Sequence, residues 1–180
     1  MRVSILEPDS ALVAEAEPER LDANTFALMY EKHRLSVYRY LRARAPSGEE
    51  ALDLTAVTFE RAFASHGRFR RRDGGVHAWL LRIARNCAID ANRRRRSTVD
   101  LSGADALLSR VAMDANRLEQ EGSEIRDLVS RLPEDQRDAL LLRYAGGLTS
   151  REIGMVIGKG ESAVQKRIER GLATLREAFR

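Results

Sequence analysis

The chain has 180 residues, of which 32% are charged and only 6% aromatic, so any core must be aliphatic and modest in size. This length allows one medium domain or two small ones. The single cysteine, Cys87, excludes an internal disulfide and fits a reducing compartment. No apolar run approaches the length of a membrane span, and the first residues lack the apolar stretch of a signal peptide. We therefore expect a cytoplasmic protein without membrane insertion.

The positive charge is concentrated in one segment. The whole chain has a formal net charge of +4, but residues 25–96 alone carry 16 basic and 7 acidic side chains. A concentrated basic surface indicates a polyanionic partner. A solvated charged face is the alternative for any single run of arginines. Two such runs, at residues 68–72 and 93–96, favour the polyanion.

The predicted elements begin after an acidic, alanine-rich segment. Residues 1–24 include two prolines, and we interpret them as a mobile tail. A first helix is predicted from residue 24 or 25, because apolar positions recur there at steps of three and four. These positions are Phe26, Met29, Tyr30, His33, Val37, Tyr40 and Leu41. Pro46 interrupts this pattern, and Ser47-x-x-Glu50 is a capping-box signature for a second helix.

A basic loop separates the second helix from a third. The loop spans His66 to Gly75 and contains four arginines. The third helix is predicted from about Val76 to Asn92, and it leads into the arginine run 93–96. Trp79 lies on its apolar seam, which favours a role as a core anchor. The segment 25–96 is therefore predicted to be a small helical domain.

The remainder of the chain is predicted to form a linker and a second domain. Residues 97–123 have weak periodicity, so we interpret them as a flexible linker with a short helix near Leu107–Ala112. Helical periodicity returns over residues 124–180, where Pro133 suits a first helical position and Gly146-Gly147 closes that helix. No strand-like alternation occurs in the sequence. We predict an all-α protein of two small helical domains joined by a flexible linker.

The C-terminal domain has the pattern of a helix-turn-helix. Thr149-x-x-Glu152 is a second capping box, and the helix that it starts is followed by a turn, Gly158-Lys159-Gly160. A long basic amphipathic helix is predicted from Ser162. A short helix, a glycine-bearing turn and a second helix are typical of DNA-reading proteins. An amphipathic helix in an ordinary bundle is the alternative.

The long helix supplies the candidate residues for reading duplex DNA. Side chains at its start would meet base edges in the major groove, where Lys can donate to guanine and Gln can pair with adenine. Arginines one turn later lie nearer the DNA backbone. Arg151 and the backbone amides at the start of the preceding helix could hold a phosphate. The candidate residues are Thr149, Ser150, Arg151, Ser162, Gln165, Lys166, Arg167 and Arg170.

The third helix carries a polar, basic face opposite its apolar seam. Such a face beside an arginine-rich loop suits a single strand whose bases are splayed out. Asn86 could form hydrogen bonds with an extruded base, while the arginines hold the backbone. The candidate residues are Arg68, Arg70, Arg71, Arg72, Arg82, Arg85, Asn86, Asp90 and Arg93.

Three motifs resemble bacterial sigma factors. They are Asp53–Phe59, Trp79–Asn86 and Leu132–Arg137, and both their order and their spacing match. The resemblance is to the compact extracytoplasmic-function (ECF) class of the sigma-70 family. It assigns residues 25–96 to sigma region 2 and residues 124–180 to sigma region 4.

The resemblance implies a transcription initiation factor that binds core RNA polymerase and promoter DNA. In that family, region 4 reads the −35 element as duplex. Region 2 captures a flipped −10 base from the single-stranded non-template strand, which places Asn86 and the loop Arg68–Arg72 on the −10 site. The polymerase-binding residues that it implies are Asp53, Leu54, Thr58 and Phe59. An anti-sigma factor is a further partner that the family usually has.

Two other classes of protein are weighed against this interpretation. A stand-alone helix-turn-helix regulator would explain residues 124–180 but would leave the basic N-terminal domain without a role. An enzyme acting on nucleic acid is the third class. His33, His66 and His77 are scattered and Cys87 is alone, so no zinc constellation is predicted. We expect no enzymatic activity, no cofactor and no metal.

Overall fold

The computed structural model describes residues 21–70, 74–99 and 125–178. Within these ranges the chain forms seven α-helices and no strand, which confirms the predicted all-α fold. The helices are α1 (Ala23–Arg42), α2 (Gly48–Ser65), α3 (Gly75–Val99), α4 (residues 125–130), α5 (Glu134–Tyr144), α6 (Ser150–Ile157) and α7 (Glu161–Ala178). A 3-10 turn, His66–Arg68, follows α2. Of the helices described, none is long and apolar enough to cross a membrane.

Helices α1 to α3 pack into a three-helix domain. The carboxylate of Asp22 caps α1 by accepting a hydrogen bond from the amide of Thr25 at 2.8 Å. The hydroxyl of Ser47 caps α2 by accepting from the amide of Glu50 at 3.1 Å. Such caps satisfy amides that have no partner inside the helix. The core between the three helices includes Val37, Tyr40, Leu41, Ala51, Phe59, Ala62, Leu80, Leu81 and Ala84.

The basic loop is anchored by an aromatic contact. Phe69 is fully buried, and its ring centre lies 5.3 Å from that of Trp79 on α3. This confirms Trp79 as a core anchor. Burial of Phe69 between Arg68 and Arg70 holds this part of the loop against α3, while the side chain of Arg68 remains exposed.

Two predicted boundaries differ from the observed ones. α1 begins at Ala23, inside the predicted tail, because Asp22 provides its cap and Leu21 is buried. α3 continues to Val99 rather than ending near Asn92. Arginine is a good helix former, and Arg95 is held by an ion pair with Glu50 of α2 at 3.1 Å. The predicted helix near residues 107–112 lies outside the described residues.

The C-terminal domain contains the predicted helix-turn-helix. The capping box is confirmed, since Thr149 accepts from the amide of Glu152 and the Glu152 carboxylate accepts from the amide of Thr149. Gly158 ends α6 with φ 69°, a left-handed conformation that glycine adopts without strain. Pro133 is the N-cap of α5, one position before its first helical residue. Helix α7 packs on α5 through Gly171, where an added Cβ would lie 2.6 Å from Leu140.

The two domains also pack directly on each other. His77, in the first turn of α3, donates through Nε2 to the carbonyl oxygen of Gly146 at 2.6 Å. Arg82, one turn further along α3, donates to the carbonyl oxygen of Met155 in α6 at 3.1 Å. The sequence predicts two domains and a linker, but it contains no indication of this contact.

Candidate nucleic-acid and polymerase interfaces

The start of α7 presents polar side chains to solvent. Ser162, Gln165 and Lys166 all have exposed side chains. The opposite side of this helix is fixed by Val164, which is fully buried, and by the contact of Gly171 with α5. Packing therefore holds the three polar side chains in one orientation toward solvent. A helix presented in this way can enter a major groove.

The flanking residues of this candidate duplex site divide into two groups. Arg151 and Arg170 are exposed, and Ser150 is partly exposed in the first turn of α6. Thr149 is occupied as a helix cap, with its hydroxyl donating to Glu152 at 2.7 Å. Arg167 forms an ion pair with Asp135 of α5 at 2.9 Å, so part of its charge is already compensated within the domain.

The candidate single-strand site is only partly open to solvent. Asn86, Arg68 and Arg93 are exposed, whereas Arg71 and Arg72 lie outside the described residues. Arg70 folds back on its own loop and donates to the carbonyl oxygens of Gly67 and Phe69 at 3.0 and 2.8 Å. Asp90 pairs with Arg61 of α2 at 3.3 Å.

Two members of this candidate site contact the C-terminal domain instead of solvent. Arg82 bonds the backbone of Met155, and Arg85 forms an ion pair with Asp138 of α5 at 2.7 Å. Asp138 also contacts Arg44, which follows α1. Sequence reasoning missed Arg44 and Asp138 altogether, because no local pattern links residues so far apart in the chain.

Helix α2 places the four polymerase-binding candidates in two environments. Leu54, Thr58 and Phe59 are buried in the domain core, where the hydroxyl of Thr58 donates to the carbonyl oxygen of Leu54 at 2.7 Å. Phe59 packs edge-to-face on Tyr30 at 4.7 Å between ring centres. Of the four, only Asp53 presents an exposed side chain. The role of α2 in binding polymerase stays a prediction.

A shallow groove runs beside Asp53. Its cavity volume is about 330 Å³, and its walls come from α2 and from the C-terminal half of α3. The lining residues are Glu50, Asp53, Leu54, Val57, Ala91, Arg94 and Arg95. Apolar and charged groups of both signs therefore line one groove.

A stacked histidine pair lies beside the contact between the domains. The rings of His33 and His77 are 4.9 Å apart and nearly parallel. The pKa of His33 is lowered to about 3, chiefly by burial and further by the charges of His77 and Lys32. His33 is therefore neutral at pH 7. Within the ranges that the structure covers, no cluster of His, Cys, Asp or Glu is suited to hold a metal ion.

Two family models match the chain, and they cover the two domains separately. The model described as "Sigma-70 region 2" matches residues 29–98, and the model described as "Sigma-70, region 4" matches residues 123–175. The first match includes α2, the basic loop and α3 up to residue 98. The second includes the whole helix-turn-helix apart from the last turn of α7.

Curated relatives share most of the chain. The ECF RNA polymerase sigma factor BldN of Streptomyces coelicolor is 30% identical over 86% of this chain, which spans 60% of BldN. SigE of Mycolicibacterium smegmatis is 28% identical over 95% of the chain, which spans 68% of SigE. SigX of Bacillus subtilis is 27% identical over 85% of the chain, which spans 82% of SigX.

Two solved structures share the fold. CnrH, solved in complex with the cytosolic domain of CnrY, superposes with a TM-score of 0.68 at 21% identity, covering 88% of this chain and 89% of CnrH. The sigma factor RpoE of Bartonella quintana, solved with the anti-sigma factor NepR, gives a TM-score of 0.69 at 20% identity. The match covers 86% of this chain and 96% of RpoE. From the two family models and these relatives, the chain belongs to the sigma-70 family, among its ECF sigma factors.

Proposed function

We propose that this chain is a transcription initiation factor that binds core RNA polymerase and directs it to promoters with two separate elements. The observation that supports the proposal is that one chain exposes two separate sets of polar and basic side chains, a candidate duplex reader and a candidate single-strand surface. The first is the exposed start of α7, and the second is formed by Asn86 and Arg93 on α3 with Arg68 of the loop. A factor of this kind acts with polymerase in the cytoplasm.

The C-terminal domain would read the −35 element as duplex. Gln165 and Lys166 lie in the first turns of α7, where base edges are within reach of a helix in the major groove. Arg151, exposed at the start of α6, would bind a backbone phosphate and so fix the register. Arg170 would supply a further phosphate contact.

The N-terminal domain would capture one −10 base from the non-template strand. An extruded base must be held because unstacking and unpairing it costs a few kcal/mol. Asn86 has both donors and an acceptor for a base edge, and its side chain is exposed. Gly74 and Gly75, with positive φ values of 97° and 79°, connect the basic loop to the start of α3.

Core polymerase would bind α2 and the groove beside it. Asp53 is exposed at the edge of the groove, and Leu52, the preceding residue, is 60% exposed and could add an apolar contact. An anti-sigma factor is a second proposed partner, since two proteins of the same fold were solved with CnrY and with NepR.

A run-off transcription assay with core polymerase and a promoter library tests the proposal. A sigma factor should give specific transcripts only when core polymerase and this chain are both present. The enriched promoters should share two elements at a constant separation. A stand-alone regulator would instead bind one duplex element tightly without polymerase and would give no transcripts with core enzyme alone. Such an outcome would replace the proposed function with the regulator.

A further inference from the structure

Glu169 is an exposed carboxylate on the outer face of α7. It follows Ser162, Gln165 and Lys166 at steps of seven, four and three residues, so helical geometry places all four side chains on one face. Val164, which is fully buried, lies on the opposite side of the helix. The face that carries the candidate base-reading side chains therefore also carries an acidic residue that the sequence-based site does not include.

The spacing of these four residues is that of a helix that reads the major groove. In homeodomains, the base-contacting side chains of the recognition helix lie at positions i, i+3, i+4 and i+7. Ser162, Gln165, Lys166 and Glu169 have the same spacing. Ser162 and Glu169 are about 10 Å apart along the helix axis, which is the length of about three base pairs. A helix that places Gln165 and Lys166 against base edges therefore brings Glu169 to base edges as well.

The carboxylate of Glu169 is not engaged by the protein itself. Among the residues that the structure describes, none donates a hydrogen bond to it or forms an ion pair with it. By contrast, Glu152 is bonded to Thr149 in the capping box, and Asp135 is paired with Arg167. A carboxylate on a surface that approaches DNA repels phosphates and weakens binding to every sequence. Such a residue is useful on this face only if it makes a favourable contact with particular bases.

The chemistry of a carboxylate restricts which base it can contact. An ionised carboxylate only accepts hydrogen bonds. In the major groove, guanine presents the N7 and O6 acceptors and thymine presents the O4 acceptor, so both repel it. Cytosine presents its N4 amino group, a donor from which Glu and Asp accept. Adenine presents a donor beside an acceptor, a pair that suits the amide of Asn or Gln. Cytosine is therefore the base that best fits Glu169.

We propose that Glu169 is a specificity-determining residue of the duplex reader, which selects a cytosine in the −35 element by accepting a hydrogen bond from its N4 amino group. The same carboxylate repels guanine and thymine at that position and lowers the affinity for unrelated duplexes. Lys166 and Arg170, which are also exposed on α7, supply the positive charge that offsets its repulsion of phosphates. This inference rests on the proposed −35 role of α7.

The first test compares the duplexes that are selected by the natural chain and by its variants, each in complex with core polymerase. The probe is a library of duplexes that are randomised over the −35 region. Glu169→Gln removes the charge but keeps the size of the side chain, and Glu169→Ala removes the contact. Glu177→Gln is the matched control, because Glu177 is also exposed on α7 but lies about two turns further from the base-reading residues.

We expect the natural chain to prefer cytosine over thymine about tenfold at one −35 position. Glu169→Gln should change this preference to adenine, because an amide can use both its donor and its acceptor there, and Glu169→Ala should abolish it. Glu177→Gln should leave the preference unchanged. If Glu169→Gln bound all duplexes more tightly by the same factor and kept the same base preferences, Glu169 would be a solvated surface charge and the proposal would be overturned.

A double-mutant cycle tests whether the contact is direct. Replacing the selected C·G pair by T·A should weaken binding of the natural chain about tenfold and should not affect Glu169→Ala, which has no carboxylate to lose. Equal losses for both chains would overturn the proposal.

Lys166→Ala separates this inference from the proposed function. If Lys166→Ala alters the selected bases and the Glu169 variants do not, only the cytosine contact is refuted. If the polymerase complex of the natural chain selects no duplex element, the −35 role of α7 is refuted and the cytosine contact with it.

Discussion

Gly154 in α6 lies close to the backbone of the turn before α7. A Cβ added there would lie 2.5 Å from the carbonyl oxygen of Lys159, which is part of the turn before α7. In an open helical position, Gly→Ala would stabilise the protein by about 1 kcal/mol through helix propensity. Here the oxygen is a backbone atom and cannot rotate away, so the turn must shift. Overpacking of this kind costs about 1–3 kcal/mol.

We expect Gly154→Ala to lower the free energy of unfolding by about 1–2 kcal/mol, with the cost of the shifted turn outweighing the gain in propensity. Urea denaturation at pH 7 measures this change. Because the shift moves the start of α7 relative to α6, binding to a −35 duplex by the polymerase complex should weaken more than the loss of stability alone explains.

Two other glycines of the same turn serve as controls. An added Cβ at Gly160 meets nothing within 4 Å, so Gly160→Ala should change stability by less than about 0.5 kcal/mol. Gly158 also has open space but a φ of 69°, so Gly158→Ala should cost about 1 kcal/mol from the left-handed backbone alone. If Gly154→Ala were as stable as the natural chain or more stable, the argument from close approach would be refuted.

Four further outcomes are expected. The lowered pKa of His33, about 3 against 6.5 unfolded, means that the unfolded chain binds more protons between these values. The free energy of unfolding should therefore have its full value above pH 6.5 and should fall by about 2 kcal/mol between pH 7 and pH 5 in urea titrations. The fall should be smaller in His33→Leu. Lys166→Ala should reduce the discrimination between base pairs at one or two −35 positions by about 1–3 kcal/mol in a competition assay with duplex DNA. In the same assay, Arg151→Ala should weaken binding to all duplex sequences alike. Asn86→Ala should lower open-complex yield in permanganate footprints without changing −35 binding, and unchanged −10 preference would contradict base capture. Asp53→Arg should reduce co-purification of core polymerase, and an unchanged amount would contradict the role of α2.

Local sequence patterns were sufficient to predict most of the helices and the helix-turn-helix. The Thr149-x-x-Glu152 box, the turn at Gly158 and the polar start of α7 each depend on residues within one or two turns of each other. Interactions of this range can be predicted from spacing alone, since helical geometry fixes which side chains meet. The burial of Trp79 followed from the apolar seam of α3 for the same reason.

Only the tertiary structure decided which side chains of the candidate surfaces are available. Leu54 and Phe59 fit the sequence pattern of an interface as well as that of a core, and the packing of the three helices places them in the core. In the sequence, Asp138 cannot be distinguished from a charged surface residue of α5. In the structure its partners are Arg44 and Arg85, which are 94 and 53 residues away in the chain. No local periodicity encodes such distant pairs, because burial depends on the complete arrangement of helices. The closing of the two domains over α3 is therefore a property of the fold that the chain's local patterns do not reveal.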